Sequence, residues 1–308
     1  MDIIATPSPL QELKSPLFER KGLSVWVKRD DLLHPVVSGN KWRKLKYNIQ
    51  EAQGRACSRI LTFGGAYSNH LHATAGACAK VGLSSVAVVR GEETLPLNST
   101  LRFAAEQGMH LHYVSRSDYR MRYEESFQQA LLDEYPGSYL VPEGGANADG
   151  VRGCKEIVEE VSMPFDKIAV ACGTGTTLAG IALALNPGQQ ALGFSALKNG
   201  AFLDDEVAAL VASEGLSTTQ RNWNIQTNYH FGGYARVTPE LIAFMQQFYK
   251  EHGFKLDPVY TAKMFYGVWD MMGNDAFARG TTLVLVHTGG LQGLKGMEER
   301  LGLNFYAE

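Results

Sequence analysis

Lys41 follows a Ser38-Gly39-Asn40 turn and opens a stretch, KWRKLKYNIQ, in which Trp42, Leu45 and Ile49 recur at helical spacing. Ser38 or Asn40 can cap such a helix, which puts Lys41 in its first turn. A cation there opposes the helix dipole, and desolvation pushes the same way, so the neutral amine is favoured. A neutral amine is the form that attacks an aldehyde. The plain alternative is one solvated lysine among the several in KWRKLK.

A second turn lies in LTFGGAYSNHLHATA. A buried strand ends at Gly64-Gly65, and a helix begins near Ser68 or Asn69. Its free N–H groups, the Ser68 hydroxyl and the Asn69 amide suit a small anion such as a carboxylate, with ordinary capping as the plain alternative. His70 and His72, two residues apart, face opposite sides of that helix, so no metal pair is expected.

The third turn, Gly173-Thr174-Gly175-Thr176-Thr177, joins a strand, KIAVAC, to an apolar helix. Glycines let a ligand approach the backbone, and hydroxyls with N–H groups wrap a phosphate. A dinucleotide would want glycine where Leu178 stands and an acid after ALGFSAL, which ends in Lys198 and Asn199. A nucleoside triphosphate would want a lysine beside the loop. A single phosphate monoester fits best, held by neutral donors with no lysine or arginine.

The elements that position these turns alternate. Apolar runs at 59–65, 84–91 and 167–175 each lead through a glycine or serine turn to a helix-length stretch, at 69–80, 98–107 and 176–185. Residues 111–115, 191–197 and 282–290 add further short strands. Such alternation predicts an α/β fold with parallel sheet covered on both faces. Ligands then bind at the carboxyl ends of the strands. With 308 residues and 45% apolar content the chain can build large cores, and two domains are expected: 1–45 with 151–308, and an inserted 46–150. A net charge of −3 gives no basic field for nucleic acid or an acidic membrane surface. Cys57, Cys78, Cys154 and Cys172 lack metal-ligand spacing and read as buried thiols of a reducing compartment. The N-terminus carries two early prolines and no long apolar run, so neither a signal peptide nor a membrane span is expected, and a cytoplasmic location is.

These segments, with DPVYTAKMFYG and VHTGGLQG further on, resemble the fold type II (tryptophan synthase β-like) pyridoxal-phosphate enzymes. Within that group they are similar to the 1-aminocyclopropane-1-carboxylate deaminase/D-cysteine desulfhydrase family, over nearly the whole chain. The resemblance implies two open, twisted, mostly parallel sheets flanked by helices, a cleft between the two domains, bound pyridoxal 5'-phosphate and a homodimer. It implies that Lys41 is the Schiff-base lysine and that Gly173, Thr174, Gly175, Thr176 and Thr177 cradle the cofactor phosphate. Asn69 would bond the ring hydroxyl, and Thr288 would sit at the ring nitrogen. Ser68, with the N–H groups of Asn69 and His70, would hold the substrate carboxylate, and Tyr260 would face the substrate.

What the resemblance implies for the reaction is removal of an α-proton from a small amino acid and loss of its β-substituent. D-cysteine would give pyruvate, sulfide and ammonia. Deaminases of the family bring a tyrosine and a glutamate near the ring nitrogen, where this chain reads HTGG, the form closer to the desulfhydrases. The alternatives are deamination of 1-aminocyclopropane-1-carboxylate to 2-oxobutyrate, β-replacement, a nicotinamide-dependent oxidoreductase on the Gly173 loop, and a binding protein that kept the pocket.

Overall fold

The computed structural model describes residues 7–37, 39–214 and 221–306. The expected cap at Ser38 lies outside the described residues.

Ten strands are described: β1 (Leu10–Leu13), β2 (Ser24–Lys28), β3 (Arg59–Gly64), β4 (Ser84–Arg90), β5 (Met109–Val114), β6 (Ser138–Val141), β7 (Lys167–Cys172), β8 (Gln190–Ser195), β9 (Trp223–Gln226) and β10 (Thr282–Val286). The helices of the first half are α1 (Pro16–Lys21), α2 (Asn40–Gly54), α3 (Asn69–Val81), α4 (Ser99–Glu106) and α5 (Glu125–Glu134). Those of the second half are α6 (Ala148–Glu159), α7 (Thr176–Ala184), α8 (Leu203–Ser213), α9 (Pro239–His252), α10 (Thr261–Gly273) and α11 (Gly293–Leu301). None of the described helices is long and apolar enough to cross a membrane.

The strands form two sheets, one of six in the order β1-β2-β10-β7-β8-β9 and one of four in the order β5-β4-β3-β6. All pairings are parallel except β1 with β2. This is the α/β class expected from the alternating pattern. The buried runs explain it: β3, β7 and β10 are covered along all but their first residue, which requires helices on both faces. One face of the larger sheet packs Leu283, Leu285 and Ala169 against Leu241, Met245 and Phe248 of α9 and Met264 and Phe265 of α10. The other packs Val284 and Val170 against Ile157 of α6, Ile181 of α7 and Val207 of α8. We propose that the two sheets with their helices are the two units expected at 1–45 with 151–308 and at 46–150. Helix α2 runs unbroken across residue 45.

Parallel order puts the carboxyl ends of β3, β7 and β10 on one side, where the Gly64, Gly173 and Thr288 turns leave the sheets.

Candidate active site

Helix α2 begins against the turn after β10. Gly39 occupies the cap position at φ 64°, and a Cβ there would lie 1.9 Å from the Thr288 carbonyl oxygen, so only glycine fits. Asn40 does not cap the helix. It is the first helical residue, and its amide donates to Thr177 Oγ1 at 3.0 Å, tying α2 to the start of α7. Trp42, Leu45 and Ile49 pack on Ala73 and Ala77 of α3 as their spacing implies. The KWRKLK cluster is therefore not a solvated face: Arg43 and Lys44 are buried and Lys41 is half-buried. Lys41 Nζ donates to Asn40 Oδ1 at 3.1 Å. Desolvation, and then the neighbouring Lys44 charge, bring its amine down to about 7.

Lys44 corrects one expectation. The threonine turn does have a cation, since Lys44 stands one helical turn after Lys41 and its Nζ reaches Thr174 Oγ1 at 3.4 Å. Spacing of i and i+3 on one helix face was the available signal. In the turn itself Gly175 sits at φ 74°, and Thr174 and Thr176 share a hydroxyl hydrogen bond at 2.9 Å. No described side chain caps α7, whose start at Gly175, Thr177 and Leu178 lines the cleft.

Ser68 caps α3, its hydroxyl accepting from Leu71 N at 3.3 Å. Leu71 and His72 donate their N–H groups to Ser68, and among the described residues those of Asn69 and His70 have no acceptor. The Asn69 side chain lies against the turn after β10: a Cβ on Gly290 would meet its Nδ2 at 3.2 Å, and one on Gly293 its Oδ1 at 3.3 Å. His70 is buried, with Nε2 2.9 Å from Thr62 Oγ1. Thr62 donates its own proton to the Val141 carbonyl, so Nε2 is assigned as the donor and Nδ1 keeps an unpartnered lone pair. Burial first, then the Lys41 and Lys44 charges, lower His70 to about 3, so the ring is neutral.

Asp257 builds the start of α10. Its carboxylate accepts from the N–H groups of Val259, Tyr260 and Thr261 and from the Thr261 hydroxyl. That clamp aims Tyr260 at the threonine turn, where a Cβ on Gly173 would lie 3.4 Å from its hydroxyl. Burial and the adjoining Tyr234 raise the Tyr260 phenol well above its ordinary range, so it holds its proton. The Tyr234 ring meets Tyr260 edge to face at 6.0 Å.

One cleft of about 1040 Å³ is lined by Lys41, Ser68, Asn69, His70, Gly173, Thr174, Gly175, Thr177, Tyr260 and Thr288. Thr176 alone of the expected residues is off the lining, with its hydroxyl on Thr174. Lining residues to which the sequence assigned no ligand role include Asn40, Lys44, Asp257, Tyr234, Arg90 and Arg116. The first three sat inside quoted segments, while Tyr234 and the two arginines carried no local signal.

The sequence pattern described as "Pyridoxal-phosphate dependent enzyme" matches residues 3–289. A Pyrococcus horikoshii protein provisionally named 1-aminocyclopropane-1-carboxylate deaminase is 32% identical over 303 residues, spanning 95% of this chain and 92% of that one. The Arabidopsis thaliana protein named bifunctional D-cysteine desulfhydrase/1-aminocyclopropane-1-carboxylate deaminase, mitochondrial, is 31% identical over 310 residues, spanning 94% of this chain and 77% of that one. A crystal structure of an ACC deaminase homologue superposes with a TM-score of 0.84 at 30% identity, covering 98% of this chain and 95% of that one.

Proposed function

Because this chain belongs to the pyridoxal-phosphate dependent enzyme family, in its 1-aminocyclopropane-1-carboxylate deaminase/D-cysteine desulfhydrase branch, we propose that it eliminates the β-substituent of a small amino acid, with D-cysteine giving pyruvate, sulfide and ammonia. The observation that carries this reading is the Lys41 amine, brought down to about 7 inside the cleft that also holds the threonine turn and the α3 start. The nicotinamide alternative falls with the family.

The residues fit the cofactor. The uncapped α7 start, the Thr174 and Thr177 hydroxyls and Lys44 together supply N–H, O–H and a cation for one phosphate monoester. Lys41 would join the aldehyde, Asn69 would bond the ring hydroxyl, and Thr288 would stand at the ring nitrogen. The bound cofactor supplies an electron sink that acidifies the substrate α-carbon.

The chain's own groups do the rest. The N–H groups of Asn69 and His70, with the Ser68 hydroxyl and the α3 dipole, orient the substrate carboxylate. Once displaced, the neutral Lys41 Nζ accepts the α-proton. The Tyr260 hydroxyl, protonated and held by Asp257, donates to the departing sulfur. Water completes the balance: D-cysteine and water give pyruvate, hydrogen sulfide and ammonia. A cytoplasmic homodimer belongs to the same proposal.

The test is borohydride reduction of the purified yellow protein, followed by peptide mapping and a D/L amino-acid panel scored for keto acid, sulfide and ammonia. Label on Lys41 with pyruvate and sulfide from D-cysteine is expected. Label on another lysine overturns the site, and 2-oxobutyrate from the cyclopropane substrate with no sulfide from D-cysteine overturns the substrate.

A further inference from the structure

The charged groups around the cleft are mostly spent. Asp257 is consumed by backbone N–H groups, Arg122 pairs with Glu143 at 2.7 Å, and Arg300 donates to the Ala235 carbonyl at 2.7 Å. Lys41 and Lys44 serve the floor. Two cations remain on the wall built by the four-stranded sheet. Arg90 is the last residue of β4, and Arg116 follows β5 by two residues. Both line the cleft and both are exposed. Among the described residues neither has a carboxylate within 4.0 Å, and the Arg90 guanidinium lies over the Tyr119 ring face, 5.7 Å from its centre.

Parallel pairing sets the two side by side, with Arg90 opposite Val114 in register. Arg90 leans over the loop that leads into α3, since a Cβ on Gly65 would lie 3.3 Å from its Nη2. Arg116 reaches back across Gly91, where a Cβ would lie 4.0 Å from its Nε. The substrate carboxylate already has its donors at the start of α3, so a second anion-binding pair on the adjoining wall needs a second anion. Guanidinium groups suit carboxylate or phosphate through paired N–H donors.

We propose that Arg90 and Arg116 form a subsite for a carboxylate or phosphate carried on the side chain of the substrate amino acid. This rests on the reading of the cleft as an amino-acid site. Beside the D-cysteine of the proposed function, it therefore admits small amino acids whose departing β-substituent carries a carboxylate or phosphate, eliminated by the same chemistry.

The experiment uses the holoenzyme and matched pairs in both enantiomers, each with a β-leaving group: O-phosphoserine against O-acetylserine, and S-carboxymethylcysteine against S-ethylcysteine. The first arm reads a phosphate, the second a carboxylate. The charged member of at least one pair is expected to have the higher kcat/KM by about tenfold or more, carried by KM and eroded by added salt. Arg90→Gln and Arg116→Gln should each cut that ratio severalfold, and Arg90→Lys should restore part of it. On borohydride-reduced enzyme, calorimetry should rank the same ligands the same way without turnover. Equal ratios in the wild-type protein, or parallel losses for both members of a pair in the variants, overturn the subsite. A holoenzyme that turns over no amino acid overturns the elimination reading instead, and the calorimetric ranking then still decides the subsite.

Discussion

Lys41 shows how one residue joins stability to chemistry. Its amine titrates near 7 in the folded protein and near 10.5 when unfolded. Between those values the unfolded chain binds more protons, so stability rises with pH over that window, and the full cost stands below it. In the cofactor-free protein, Lys41→Met should therefore gain on the order of 2–4 kcal/mol at pH 6, a gain that shrinks toward pH 10. Denaturant midpoints at both pH values check this, and an equal gain at each would mean the amine is not desolvated. The same value makes cofactor loading rise with pH through about 7. Tyr260→Phe should cost about a hundredfold in kcat with little change in KM, as the loss of a proton donor predicts. At this scale the sequence was legible for Lys41, whose helix position was local information. For Lys44 it offered only the i+3 spacing from Lys41, because its burial depends on where the threonine turn lands.

At the scale of elements, caps and close approaches govern. Ser68→Ala should cost about 1 kcal/mol through the α3 cap. It should also raise KM for amino acids by more than a loosened helix explains, and a comparison with Asn98→Ala at the α4 cap separates the two effects. Gly39→Ala meets a backbone oxygen and a left-handed φ together, so neither side chain nor rotamer can relieve it. Loss of cofactor binding, read from absorbance, is expected even where circular dichroism shows a folded protein. The strands and helices flanking the three turns fell within a residue or two of their sequence expectations, because buried parallel strands and capped helices are written locally. Strands β1, β2, β6 and β9 were not among those expected, and of these LQEL and WNIQ carry half-polar edge patterns.

Across the whole molecule a buried ion network fixes α2 to the larger sheet. Arg43 bonds Asp30 at 3.1 Å and Glu160 at 2.7 Å, Lys28 reaches Glu160 at 2.7 Å, and Lys46 bonds Glu156 at 2.8 Å. Burial would raise both glutamates, but hydrogen bonds and the cations hold them below the usual carboxylate range. A depressed folded value contributes stability above the unfolded one and loses it as pH falls. Acid should thus weaken the protein from about pH 4.5 downward. Arg43→Ala should cost about 3–5 kcal/mol at neutral pH, since it takes from the fully buried Asp30 its cation and removes one from each of Glu156 and Glu160, which keep Lys46 and Lys28. Thermal melts of both proteins from pH 7 to pH 4 check the size and the slope.

Residue types, helix and strand periods, caps and glycine turns are properties of neighbours along the chain, so the sequence by itself determined the α/β class, the three turns and Lys41 as a candidate. Which of those groups meet was decided by packing. Residues 41, 69, 174, 260 and 288 share one cleft only because parallel strands bring their carboxyl ends together across more than a hundred residues of chain. Whether a charge is paired or left over, as with Arg43 against Arg90, is likewise a fact of distance in space, which one-dimensional order does not contain.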